Sequence, residues 1–433
     1  MVPDGHGADP ARARAAVEAV WRIESARLVA GLARLTRDVG LAEDLAQEAL
    51  LAALEQWPAA GVPDNPGAWL ATIARRRAVD VFRRNATLDD RHRVLAAELA
   101  AEDADPAPHG LDLAALDREV QDDLLGLIFT VCHPVLSQQA RVALTLRLLG
   151  GLRTDEIARA FLVPEATVAQ RIVRAKRTLT AANVPFEVPR GADLTARLPA
   201  VLEVVYLIFN EGYAATAGED WVRDDLCREA LRLGRVLAAL APEEPEALAL
   251  SALMELQASR TGARTGPDGR PVLLLDQDRR RWDRLLIRRG LDALRRMDAL
   301  GHPYGPYGLQ AAIAACHAMA PTAGATEWGR IAALYDGLAA IAPSPVVELN
   351  RAVALAMAFG PEAGLEVVDA LRDGGRLAEY HLLPSVRGDL LVRLGRPVEA
   401  RAEFIRAAEL TRNERERTLL LERAAACAWR APS

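Results

Sequence analysis

Apolar residues recur along the whole chain at three- and four-residue intervals, while β-branched runs are scarce, a pattern that predicts an all-α protein. Interruptions in the pattern divide it. Residues 11–95 predict several helices, broken at the turn Gly61-Val62-Pro63-Asp64-Asn65-Pro66. Residues 96–112 are rich in Ala, Asp and Pro and form an expected acidic linker, because Pro106 and Pro108 cannot continue a helix. A second helical unit is expected over 113–182, closed by the segment Asn183 to Pro189. Over 190–430, helical blocks alternate with breaks at Ala241-Pro242, Gly262 to Pro271, Gly301 to Pro306, Pro343 to Pro345, Gly360-Pro361 and Gly395 to Pro397. Breaks this regular predict stacked helical hairpins.

Length and composition narrow the class. A chain of 433 residues is long enough for two or three domains. Its apolar residues never run for the roughly 20 positions that a membrane-spanning helix requires. The polar start from Met1 to Pro10 lacks the basic beginning and apolar centre of a signal peptide, so a cytoplasmic location without membrane contact is expected. Cys132, Cys227, Cys316 and Cys427 lie far apart and form no C-x-x-C pair, so buried helix-core thiols are expected rather than disulfides. Neither Cys132-His133 nor Cys316-His317 suits a metal, because successive helical side chains point about 100° apart. No metal or other cofactor is expected. The net charge of −6 disfavours a nucleic-acid partner only on average, since phosphate attraction is local. Arg75-Arg76-Arg77 with Arg83-Arg84, and Arg171 to Arg177, are basic, whereas the acids gather over Glu98 to Asp123.

The sharpest local signal spans Leu152 to Leu179. Thr154 is placed to cap a helix whose first turn holds Asp155 and Glu156 and whose inward stripe is Ile157, Ala158 and Phe161. After Leu162-Val163, Pro164 suits a first helical position. The second helix turns Val168, Ile172, Ala175 and Leu179 inward and Thr167, Gln170, Arg171, Arg174, Arg177 and Thr178 outward, with Lys176 adding a cation. Amide, hydroxyl and guanidinium groups on one face suit base edges and phosphates, although a solvated basic face has the same composition. Upstream, Leu41, Leu45, Leu54 and Trp57 form an inward stripe, leaving Asp44, Gln47 and Glu48 on an acidic outer face suited to a basic partner helix. In Asn65 to Arg84, Leu70, Ile73, Ala74, Ala78 and Val81 form the expected buried stripe and Arg75, Arg76, Arg77, Arg83 and Arg84 project. Trp69 suits core packing or base stacking.

These segments resemble extracytoplasmic-function (ECF) sigma factors of bacterial RNA polymerase. Glu156 to Phe161, Pro164 to Val168, Arg171 and Arg174 to Arg177 resemble the promoter-reading helix-turn-helix of sigma region 4. The family's turn glycine is replaced around Leu162-Val163, and Ala166 stands where glycine is frequent. Leu41 to Leu50, ending at Trp57-Pro58, resembles the region 2 helix that docks on core polymerase, and Asn65 to Arg84 resembles the promoter-melting helix. The resemblance implies a non-catalytic initiation factor whose partners are bacterial core RNA polymerase and promoter DNA. DNA binding would fall to Thr167, Gln170, Arg171, Arg174, Lys176, Arg177, Arg75, Arg76, Arg83 and Arg84, and polymerase docking to Asp44, Gln47 and Glu48.

The C-terminal half is similar to the sigma subgroup ending in a tetratricopeptide-like (TPR-like) domain, with Gly395 to Ala400, Phe404, Ala407 and Leu410 as its clearest hairpin. A regulatory protein or ligand is the partner this implies there. Polar and aromatic islands at Tyr206 to Tyr213, Asp276 to Asp283 and Gln310 to His317 would serve that contact, or cap and pair helices. Asn210, Glu211, His302, His317 and His381 carry acid-base groups, yet no phosphate loop or nucleophile motif accompanies them. An operator-binding regulator with a ligand sensor, or a helical-repeat scaffold, are the competing readings. The docking and melting helices argue against the regulator, which needs neither, and weak, non-specific DNA binding without effect on polymerase would favour the scaffold.

Overall fold

The computed structural model describes residues 10–85, 113–161, 163–213, 217–218, 223–267, 270–375 and 377–428. The expected linker over 96–112, the residue Leu162 and the side chain of Arg84 therefore lie outside the described residues. The chain divides into two compact units at Val204/Val205.

In the first unit, α1 (Pro10–Thr36), α2 (Val39–Ala60) and α3 (Pro66–Asn85) pack together. Asp38 caps α2, its side chain accepting from the Leu41 amide at 2.9 Å. The helix stops where Gly61 takes a positive φ and its N–H returns to the Trp57 carbonyl. Leu45, Trp57, Leu70 and Phe82 fill the core, and Trp69 lies edge-on to Trp57 with centroids 5.5 Å apart, which places it in packing. The remaining helices are α4 (Leu113–Val131), α5 (Gln138–Leu148), α6 (Thr154–Phe161) and α7 (Glu165–Ala181). Ser137 caps α5. Helix α8 (Ala192–Tyr213) gives this unit its residues up to Val204; Arg197 donates to the Phe129 carbonyl at 2.9 Å and sits over that ring.

The second unit is a succession of helices: α9 (Asp224–Leu240), α10 (Pro245–Ala258), α11 (Arg284–Ala299), α12 (Pro306–Met319), α13 (Trp328–Ile341), α14 (Pro345–Phe359), α15 (Pro361–Asp373), α16 (Leu382–Arg393), α17 (Pro397–Leu410) and α18 (Glu414–Ala428). Pro245, Pro306, Pro345, Pro361 and Pro397 each open a helix, where the missing N–H breaks no intrahelical bond. Consecutive helices pack on one another, and the longest connection between them, 259–283, joins α10 to α11. Ala400, Phe404 and Ala407 are buried, as the hairpin pattern predicts, while Leu410 is only partly covered. A Cβ on Gly388 would come within 2.7 Å of the Phe404 ring, so this glycine lets α16 and α17 approach closely. The breaks between α12 and α13, between α15 and α16 and between α17 and α18 are further ones, beyond those expected from the sequence pattern. One small departure from the all-helical expectation is a parallel pairing of Ala217–Gly218 with Arg412–Asn413.

Candidate nucleic-acid interface

Helix α7 has the two faces its periodicity requires. Val168, Ile172, Ala175 and Leu179 are buried, anchoring the helix on α5 and α6. Gln170, Arg174 and Arg177 are exposed, and Thr167, Arg171 and Thr178 are partly so. The guanidinium groups of Arg171, Arg174 and Arg177 have no ion-pair partner among the described residues, leaving a basic face open to an anionic surface. Two local details differ from expectation. Thr154 is itself the first helical residue of α6, and the side chain closing this end is Glu156, which accepts from the Arg153 amide at 2.8 Å. Pro164 stands immediately before α7, its carbonyl accepting from the amides of Thr167 and Val168.

Lys176 is placed differently from its neighbours. Its Nζ lies 2.5 Å from Glu43 and 3.8 Å from Asp44, and its side chain is largely covered. The same Glu43 carboxylate accepts from Arg147 Nε at 2.6 Å. Glu43 is buried, and no sequence signal singled it out: on the periodicity of α2 it is one more acid beside Asp44.

On α2, Asp44 is well exposed and Gln47 partly exposed. Glu48 is also open but pairs with Arg77 of α3 at 2.7 Å. On α3 the buried stripe runs through Leu70, Ala74, Ala78, Val79 and Phe82, whereas Ile73 and Val81 are only partly covered. The aromatic ring at position 82, rather than Val81, continues the face of Ala78 by four residues. Arg75, Arg76 and Arg83 project outward.

In the second unit the polar islands make internal bonds. Arg279 donates to the carbonyls of His317 (2.5 Å) and Ala320 (2.8 Å) and to Thr326, closing the end of α12. Arg264, Tyr213, Arg260, Trp282 and Arg279 alternate as cations and rings, with guanidinium–centroid separations of 3.9 to 5.9 Å. Burial, and then Arg260 and Arg279, push the His317 imidazole down to about 3, so it is neutral and poorly suited to proton transfer near neutral pH. Asp278 and Asp283 cap the helical turns that follow them. Glu211 pairs with Arg223 and His381 with Glu416. Glu246, absent from the sequence-derived candidates, accepts from the Tyr307 and Gly308 amides at the start of α12. Its partners lie some sixty positions away, so local pattern carries no trace of them.

All four cysteines are buried and unpaired, and burial raises the Cys132 thiol to about 11 and Cys227 to about 12. Among the described residues no three His, Cys, Asp or Glu side chains gather as metal ligands, and no helix is long and apolar enough to cross a membrane.

Residues 23–87 match the family described as Sigma-70 region 2 and residues 127–179 that described as Sigma-70, region 4. Residues 197–298 match a family of unknown function, DUF6596. The chain is 44% identical over 385 residues to the uncharacterized protein R00370 of Rhizobium meliloti, covering 89% of each. It is 30% identical over 172 residues to the probable ECF RNA polymerase sigma factor SigI of Mycobacterium tuberculosis, covering 40% of this chain and 57% of that one. To the probable RNA polymerase sigma factor RfaY of Xanthomonas campestris it is 32% identical over 149 residues, 34% of each. The chain belongs to one family with the Rhizobium protein and carries, in order, the region 2 and region 4 domains of an ECF-like sigma factor.

Proposed function

We propose that the protein directs bacterial core RNA polymerase to specific promoters and initiates transcription there without covalent chemistry of its own. In this reading residues 11–95 dock on polymerase and melt the promoter, 96–112 link, 113–182 read duplex DNA, and 190–430 form a TPR-like regulatory or interaction domain. The observation that carries it is the pairing of two surfaces in the sigma order. Helix α2 offers Asp44, Gln47 and Glu48 to a basic partner, and α7 offers Thr167, Gln170, Arg171, Arg174 and Arg177 to the major groove. Arg75, Arg76, Arg83 and Arg84 of α3 would hold the backbone of the opened strand. The relatives named SigI and RfaY support the same assignment.

The test is run-off transcription with purified core polymerase on genomic fragments. Specific starts that require the added protein are expected. Replacing Arg171 and Arg174 together by Ala should weaken duplex promoter binding about tenfold or more, given ~1–3 kcal/mol per good base contact. That change should leave polymerase docking intact, and Asp44→Ala should do the reverse. Duplex binding without any polymerase-dependent start would instead indicate an operator-binding regulator.

A further inference from the structure

We propose that the second unit holds a binding site for a small organic oxyanion, a carboxylate or phosphate on an apolar body, with Arg260 as the group that meets the acid. The site lies wholly within that unit, and binding there is independent of the promoter-directing role.

Arg260 follows α10 and is half-buried, its guanidinium 5.8 Å from the ring centroid of Tyr213 and 5.9 Å from that of Trp282. Its side chain has no hydrogen bond and no carboxylate partner among the described residues, and its Nε is enclosed without one. Arg279 is buried against the same Trp282 ring, at 4.7 Å. Its terminal nitrogens meet the carbonyls of His317 and Ala320 and the Thr326 hydroxyl, none of which carries a charge. The acids of the neighbouring islands are engaged elsewhere: Asp278 pairs with Arg280, Asp283 caps α11 and Glu211 pairs with Arg223.

Two guanidinium groups thus share one enclosed neighbourhood with no fixed anion among the described residues. Burial and then Arg260 lower the Arg279 pKa, and both arginines add to the burial that keeps His317 neutral. The Nε of Arg279, Nε1 of Trp282 and Nδ1 of His317 are buried without a partner as well, a state that folded chains seldom leave uncompensated. Cation–π contact with Tyr213 and Trp282 offsets part of the cost, but it leaves the like charges in place. An oxyanion would offset the rest, accepting charge-assisted hydrogen bonds and neutralising the pair.

The surroundings of Arg260 favour an apolar body on that acid. Tyr335 of α13 lies within reach of the Arg260 charge; burial, and then Tyr206, push its phenol up to about 12, although the residue keeps partial exposure. A phenol so poorly solvated and still accessible lines a recess rather than an outer surface. Tyr206 of α8 is in the same condition, and its hydroxyl donates to Gln310 Oε1 of α12 at 3.1 Å. Rings with a few placed polar groups are the lining that small-molecule sites use.

The test melts the full-length chain in phosphate and in benzoate, with chloride at the same ionic strength as the reference. A saturable rise in melting temperature above that in chloride is expected from at least one anion. A rise from benzoate alone would make the ligand a carboxylate, and one from phosphate alone a phosphate. Arg260→Met should raise the half-saturating concentration about tenfold or more, through loss of a charge-assisted contact. No saturable rise from either anion, or the same half-saturation in Arg260→Met, would overturn the site. The basic face of α7 is a rival place for an anion, so hydrogen exchange of the wild-type chain supplies a second readout that needs no variant. The effective anion should slow exchange over 257–264 and 277–284. Slowing absent from these segments would overturn the site even where Arg260→Met does not fold.

Discussion

On α7, Arg171, Arg174 and Arg177 project from a helix whose other face is buried, whereas Arg279 lies inside the second unit among carbonyls. The residue type is the same; its surroundings decide whether it stays open to an anionic surface or closes a helix end. If the exposed set binds DNA as proposed, each phosphate contact removed should flatten the salt dependence of duplex binding by about 0.9 in log–log slope. Titrating Arg174→Ala against wild type across salt concentrations checks this. His317 makes a separate prediction. Burial and the neighbouring Arg260 and Arg279 depress its folded pKa to about 3, against 6.5 for the free group. Below the unfolded value the unfolded chain takes a proton that the folded one refuses. The stability present above about pH 6.5 is therefore lost as pH falls toward 3, by up to ~1.4 kcal/mol per pH unit. Denaturant melts of His317→Phe should show a shallower loss between about pH 6 and pH 4 than wild type, and parallel slopes would remove His317 from the acid response.

At the scale of elements, helix starts were the most legible feature, because proline acts locally: Pro306, Pro345, Pro361 and Pro397 end expected breaks and each opens a helix, whereas Pro245 opens one three residues beyond the expected break at Ala241-Pro242. The buried face of α7 was equally legible from its apolar spacing. On α3 the same reasoning chose Val81, although Phe82 is the residue the core encloses, because two adjacent apolar residues offer two registers and only packing selects between them. Ties between elements leave less trace. Arg387 of α16 reaches Asp369 of α15 at 2.7 Å and Glu403 of α17 at 2.6 Å. Its removal leaves two carboxylates facing each other in a partly buried site. Arg387→Ala should cost about 3 kcal/mol, the lower end for a broken buried pair because Asp369 keeps some contact with water. The urea midpoint of the full chain measures it. Gly388→Ala, which drives a methyl into the Phe404 ring, should cost ~1–3 kcal/mol by overpacking. Paired with Phe404→Leu it should cost less than alone, and additive losses would count against the close approach of α16 and α17.

At the scale of the molecule, α8 contributes to the first unit up to Val204. Arg197 donates to the Phe129 carbonyl, and Glu203 meets Gln138 at 2.9 Å and Arg141 at 3.6 Å. A chain ending near Pro189 lacks these contacts and one ending at Val204 keeps them. The shorter fragment should melt lower, by roughly 2–4 °C for each kcal/mol lost in a unit of this size; equal melting temperatures would show that α8 adds nothing to region 4. The sequence by itself determined the helical class, the order of two sigma-like helical groups before a repeat-like half, and which side of α7 is apolar. Each of these depends on spacing within one helix or on the backbone limits of proline and glycine. Tertiary structure decided that Lys176 turns from the basic face of α7 to Glu43, that Glu246 closes the start of α12, and that His317 sits neutral between arginines. In each case the partner is distant in the chain, and no local spacing records which charge the fold brings beside which.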